Sequence, residues 1–241
     1  VYPTGTTIYY PEHCHSGYTV FNVRDVGNVL VDMNGNVVKL WKKVAGFPAR
    51  ILPGGFVIGS TGSRNSKHGY LDMIDLIQVD WQGNVVWKFN RYERVRDPRR
   101  KPEWMARQHH DYQREGNPVG YYAPGLDPVI AGGNTLILCH KNLHNTDISE
   151  KVLLDDTIID VSWEGKVEWE WVFSDHFEEM GFGEAAKNAL ARNPNVVPAG
   201  GGMGDWMHAN SMSVIGPNRH YDSGDERFHP DNIMWDGRQT N

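Results

Sequence analysis

Three segments of the chain repeat one pattern: Asp32-Met-Asn-Gly35-Asn-Val37-Val-Lys-Leu-Trp41, Asp80-Trp-Gln-Gly83-Asn-Val85-Val-Trp-Lys-Phe89 and Ser162-Trp-Glu-Gly165-Lys-Val167-Glu-Trp-Glu-Trp171. Each reads as a strand, a tight turn with glycine in the left-handed region, and an alternating strand that ends in an aromatic. A glycine turn flanked by period-2 alternation is a strong short-range hairpin signal. Gly35 and Gly83 are 48 residues apart, the spacing of propeller blades, and Gly165 follows after 82, so the third unit carries an insertion.

A second hairpin type alternates with the first. Its simplest copy is Ala49 to Ser60 around Gly54-Gly55; longer copies run from His110 to His140 and from His208 to Arg238. Two alternating hairpins per unit give four antiparallel strands, one blade. The expectation is an all-β chain: a single partial β-propeller domain over residues 1–241, about three and a half blades, with a short helical insertion near 175–193. Within that insertion Asp175 to Glu178 reads as a capping box, and Glu184 to Arg192 as a helix stopped before Pro194. Propellers close with four to eight blades, so the remaining blades are expected on a second polypeptide or beyond these residues.

Composition narrows the function. A net charge of −6 argues against a nucleic-acid grip, which needs clustered cations. The one basic stretch, Arg91 to Arg107, reads as a solvated surface loop. No apolar run reaches the ~18 residues of a membrane helix. Val1-Tyr-Pro has no leader character, so an exported protein would have lost its signal before it. Two cysteines, Cys14 and Cys139, allow one bridge at most.

The histidines are more informative. A hairpin returns to the end where it starts, so His110, His140, His208 and Arg238 are expected at one mouth of the central channel, with Asp111, Asn142, His144, Asp205 and Asn210 close by. Unpaired polar groups are costly in a core and make better sense lining a wet cavity.

Three sequence elements, Gln108-His109-His110-Asp111, Asp205-Trp-Met-His208-Ala-Asn-Ser211 and Arg238-Gln, together resemble the bacterial arylsulfate sulfotransferases. In that family an Asp-Trp-Leu-His-x-Asn-Ser segment leads by a hairpin to Ser-Arg-His-Gln. The likeness spans roughly residues 20 to 241. It implies a six-bladed, periplasmic or secreted propeller that moves a sulfuryl group from an aryl sulfate to a phenol, through a histidine on a blade beyond residue 241. It also implies that His208 and Arg238 bind the sulfate oxygens and that His110 is a further catalytic histidine, with His109 as the competing choice. By their place at the same mouth, His109, His140, Asn210 and His144 are expected to contact a small aromatic or anionic substrate. No cofactor is implied. Two other readings use the same mouth: a hydrolase or lyase with a divalent metal on His110, His140 and His208, and a non-catalytic ligand-binding propeller. A calcium loop at Asp222 to Glu226 lacks the required spacing.

Overall fold

The computed structural model describes residues 5–23, 25–64, 72–117, 127, 129–195 and 204–238. Among them the chain is all-β and every sheet is antiparallel. The first sheet has three strands, β1 (Thr19–Val23), β2 (Gly27–Val31) and β3 (Val37–Trp41). Four follow in order: β4 (Gly46–Leu52), β5 (Phe56–Ser60), β6 (Leu76–Val79) and β7 (Val85–Phe89). A small ribbon, β8 (Glu93–Val95) with β9 (Glu103–Met105), precedes a second four-stranded sheet. That sheet is β10 (Gln108–Arg114), β11 (Thr135–Asn145), β12 (Ser149–Val161) and β13 (Val167–Val172). Strands β14 (Ala209–Val214) and β15 (Ile233–Gly237) form the last hairpin.

The three repeats build one turn three times. The amide of Gly35, Gly83 or Gly165 donates to the carbonyl of Asp32, Asp80 or Ser162, three residues earlier. All three glycines have φ near +80°, a region costly for residues bearing Cβ. Asp32 and Asp80 accept from the side-chain amides of Asn36 and Asn84, each at 2.9 Å. The turns also join neighbouring sheets: Trp41 Nε1 donates to the Asp80 carbonyl at 3.0 Å, and Trp87 Nε1 to that of Trp163 at 2.9 Å.

One apolar cluster fills each junction between successive sheets. Leu30, Trp41 and Val44 meet Val57, Ile77 and Val79. Leu76, Trp87 and Phe89 meet Tyr112, Ile137 and Ile159. Leu138, Leu153 and Ile158 meet Trp206, Met207 and Met212, with Phe173, Phe177 and Leu190 added from the insertion. Period-2 strands buried on both faces place the core between sheets rather than inside any one of them.

Two expectations change. Arg91 to Arg107 is not a solvated loop: it contains the β8–β9 ribbon, and Arg107 is fully buried between Asp72 and Glu93. A guanidinium that gains two carboxylates withstands burial that a lone cation would not. Asp175 caps nothing; Phe173–His176 is a 3-10 turn, and helix α1 (Glu184–Arg192) starts after Gly183 without a side-chain cap. The helix packs on the surface through Leu190, with Ser149 Oγ donating to the Ala191 carbonyl at 3.0 Å. After the helix the sequence has a Gly-rich run, Ala199 to Gly204, of which residues 199–203 lie outside the described residues. Cys14 is exposed and Cys139 buried, and both are free. The 222–226 segment is a turn beside the short helix α2 (Arg219–Asp222), where Asp225 pairs with Arg227.

Candidate functional site

The ladder register sets the site. The His140 amide donates to the Arg107 carbonyl at 2.9 Å, and the Arg238 amide to the His208 carbonyl at 3.1 Å. Arg107 and His208 are therefore equivalent positions, each just ahead of its strand with φ of 57° and 53°. The sequence pairs His110 with His208 instead. The difference arises because β10 starts at Gln108 and absorbs two extra residues before Tyr112 pairs with Ile137. His110, at φ 50°, sits within that bulge, and bulges re-aim side chains at strand ends.

His110, His140, His208 and Arg238 nonetheless lie together, with His109 as the connector. Arg238 Nη1 is 3.3 Å from His208 Nε2. The His208 and His110 rings are 5.2 Å apart, edge to face. His110 Nδ1 is 3.1 Å from His109 Nδ1, and the His109 ring stacks on His140 at 3.7 Å. His109, His140 and His208 are buried, His110 is half-buried, and Arg238 is exposed. Asn210 is half-buried at the bulge of β14. His144 is exposed, farther along β11. The exposed ring of Phe47 stands edge-on to His110 at 6.4 Å.

Acidic residues hold this group from behind. Asp205 Oδ2 accepts from His208 Nδ1 at 2.5 Å. Asp156 Oδ2 accepts from the Ala209 amide at 3.0 Å. Asp155 takes the Trp206 indole at 2.7 Å and the Ser174 amide at 3.0 Å. Asp111 pairs with Arg50 and accepts from the Met212 amide at 3.0 Å, tying β10 to β4 and β14. Asp155 and Asp156 escaped the sequence reading, although an Asp-Asp pair inside the apolar run Val152 to Val161 was a signal: buried carboxylates need partners.

Proton affinities divide the histidines. The hydrogen bond to Asp205 raises His208 above the usual imidazole range, against the effects of burial and of Arg238. Burial lowers His110 to about 4, helped by His109 and His208. Burial likewise lowers His109 to about 4 and His140 well below its usual value. The site thus sets His208, whose hold on a proton is raised, and Arg238 beside the neutral imidazole of His110. A tetrahedral oxyanion suits His208 and Arg238, since Arg and imidazolium offer several charge-assisted donors.

Residues 129–221 match the family described as Arylsulfotransferase (ASST). The match includes His140, Asp155, Asp156, Asp205 and His208. Neither a curated protein nor a solved structure matches the chain.

Proposed function

We propose, from the arylsulfotransferase likeness of residues 129–221, that this chain supplies the sulfate-binding part of an enzyme that moves a sulfuryl group from an aryl sulfate to a phenol. The carrying observation is the placement of Arg238 Nη1 3.3 Å from His208 Nε2, with Asp205 behind the imidazole. His208 and Arg238 bind the sulfate oxygens and hold the charge that develops as the ester bond breaks. A histidine ring nitrogen forms the N–S bond while the aryl oxygen leaves with the electron pair and takes up a proton. In the second half the phenol oxygen attacks sulfur, the N–S bond breaks, and the phenolic proton passes to a base. Neutral His110 is a further catalytic histidine of this site, and the exposed Phe47 ring offers an apolar wall to the aryl group. As the resemblance implies, the carrier histidine belongs to a blade outside residues 1–241.

In this reading the successive sheets are blades of a propeller, exported to the periplasm or secreted, and further blades, on this or a second polypeptide, complete the ring. The blade-like order of β4 to β7 and β10 to β13, and one core at each sheet junction, support it. Within the site Asn210 and His140 contact or position the substrate; exposed His144 is the most peripheral of the candidates.

The test is turnover of 4-nitrophenyl sulfate by the full-length protein, with and without an added phenol. Phenol is expected to speed nitrophenolate release. Arg238→Ala and His208→Ala are each expected to lower kcat/KM by about 10²–10³, the cost of removing one oxyanion donor. Turnover unaffected by both substitutions, or no turnover together with no sulfohistidine, would end the proposal.

A further inference from the structure

We propose that His109, His140 and Asp156 form a binding site for a divalent cation of the Zn²⁺ class, behind the sulfate-binding pair and separate from it. This inference does not depend on the sulfuryl-transfer reading. The three residues come from adjacent strands β10, β11 and β12, and His140 and Asp156 are direct ladder partners. Their exposures are 1%, 1% and 0%. One ligand atom from each lies within 4.8 Å of the others. His109 Nε2 is 2.9 Å and His140 Nε2 3.8 Å from the same oxygen, Asp156 Oδ1. Bonds of ~2.0–2.2 Å to a tetrahedral ion separate ligand atoms by roughly 3.3 Å. The two observed separations fall on either side of that value.

The polar bookkeeping favours a cation over a proton. His109 Nε2, both ring nitrogens of His140 and Asp156 Oδ1 are buried without a hydrogen bond, and the 2.9 Å contact is not aligned as one. Buried polar atoms are nearly always satisfied. A proton shared by His109 and Asp156 leaves His140 with nothing, whereas one ion engages all three side chains. Two imidazoles and one carboxylate suit Zn²⁺ or its first-row neighbours, while Ca²⁺ and Mg²⁺ want more oxygens.

The surroundings fit as well. Asp156 Oδ2 is already held by the Ala209 amide, which orients Oδ1, as supporting contacts do around metal ligands. An ion on His109 Nε2 would fix the ring proton on Nδ1, which then donates to His110 Nδ1, 3.1 Å away. His110 would keep its own proton on Nε2. The ion would thus set the tautomer of the neighbouring site histidine. Closing on the ion asks the stacked rings, 17° from parallel, to tilt apart. The ligand set differs from the His110, His140 and His208 set of the sequence alternative: His208 Nδ1 is engaged by Asp205, and neither His110 nor His208 joins the cluster.

The test uses full-length protein made without a histidine tag and without chelator. Elemental analysis is expected to find about one equivalent of a transition metal. After stripping with dipicolinate, Co²⁺ should give the visible bands of a four-coordinate ion. His140→Gln and Asp156→Asn should abolish those bands and weaken binding at least about tenfold, while His15→Ala, at an exposed histidine, should change neither. Metal-free protein that gives no such bands, or equal affinity in His140→Gln and Asp156→Asn, overturns the proposal. If those variants do not fold, X-ray absorption of the Zn²⁺-loaded wild type decides. A shell with two imidazole nitrogens supports the site; one with sulfur or with oxygen alone overturns it.

Discussion

His110 and His208 have rings 5.2 Å apart, and their surroundings move their proton affinities in opposite directions. The groups facing His208 are Asp205 and Asp156, which favour the imidazolium, Arg238, which opposes it, and His110, which is neutral at physiological pH. Because the folded value is raised, the Asp205–His208 pair stabilises the protein fully below the unfolded value near 6.5. That contribution is lost as pH rises through the folded value. Sulfate binding by the imidazolium should weaken over the same rise. Asp205→Asn should shift this loss to lower pH, and His208→Gln should flatten it; calorimetric titration of sulfate against pH reads both. An unchanged profile in Asp205→Asn would remove the imidazolium from anion binding.

Arg107 shows the other use of a position equivalent to His208. Its guanidinium donates to Asp72 at 2.6 Å, to Glu93, and to Asn142 at 2.6 Å. These carboxylates outweigh burial and raise its proton affinity. Here the strand end is closed by an internal ion cluster, whereas His208 has Asp205 on one ring nitrogen and Arg238 beside the other. Arg107→Ala leaves Asp72 buried beside a lost partner, so urea titration should show a loss of about 3–5 kcal/mol. A loss under ~1 kcal/mol, the value of a surface pair, would show the cluster to be weakly coupled to folding.

At the level of elements the repeated turn is the unit that fixes register. Gly83 has φ +88° and open space where a Cβ would lie, whereas a Cβ at Gly35 would come within 2.6 Å of the Gly5 backbone. Gly83→Ala should therefore cost only the backbone term, about 1–2 kcal/mol. Gly35→Ala adds a clash and should cost more. Thermal melts of the two variants side by side test the ordering; equal losses would mean that the segment around Gly5 yields freely. The bulge of β10 is the counterpart of these turns. It breaks register by two residues, and that break brings His109 against Asp156 and His110 toward His208.

Across the whole molecule, the cores lie between sheets, so a cavity in one core weakens two sheets together. Ile159, fully buried, belongs to the cluster shared by the sheets β4–β7 and β10–β13. Ile159→Ala should cost about 2–5 kcal/mol, with fluorescence and far-ultraviolet dichroism reporting coincident urea midpoints. Separate midpoints would mean that the sheets unfold independently and that the junctions contribute little cohesion.

The turn-and-strand repeat, the inner hairpins and helix α1 were legible in the sequence because they rest on local physics. A left-handed glycine, period-2 alternation and a helix-forming run each act within about ten residues. Hairpin logic also placed His208 opposite Arg238, whereas His140 lies opposite Arg107 and His110 reaches the group through the bulge. Tertiary structure decided what local patterns do not encode. The β10 bulge made Arg107, not His110, the ladder equivalent of His208. Packing of β12 against residues 204–209 put Asp155 and Asp156 beneath the site. Burial and carboxylate contacts, both products of distant segments meeting, then determined which imidazoles lose proton affinity and which one gains it, because proton affinity follows the environment rather than the residue type.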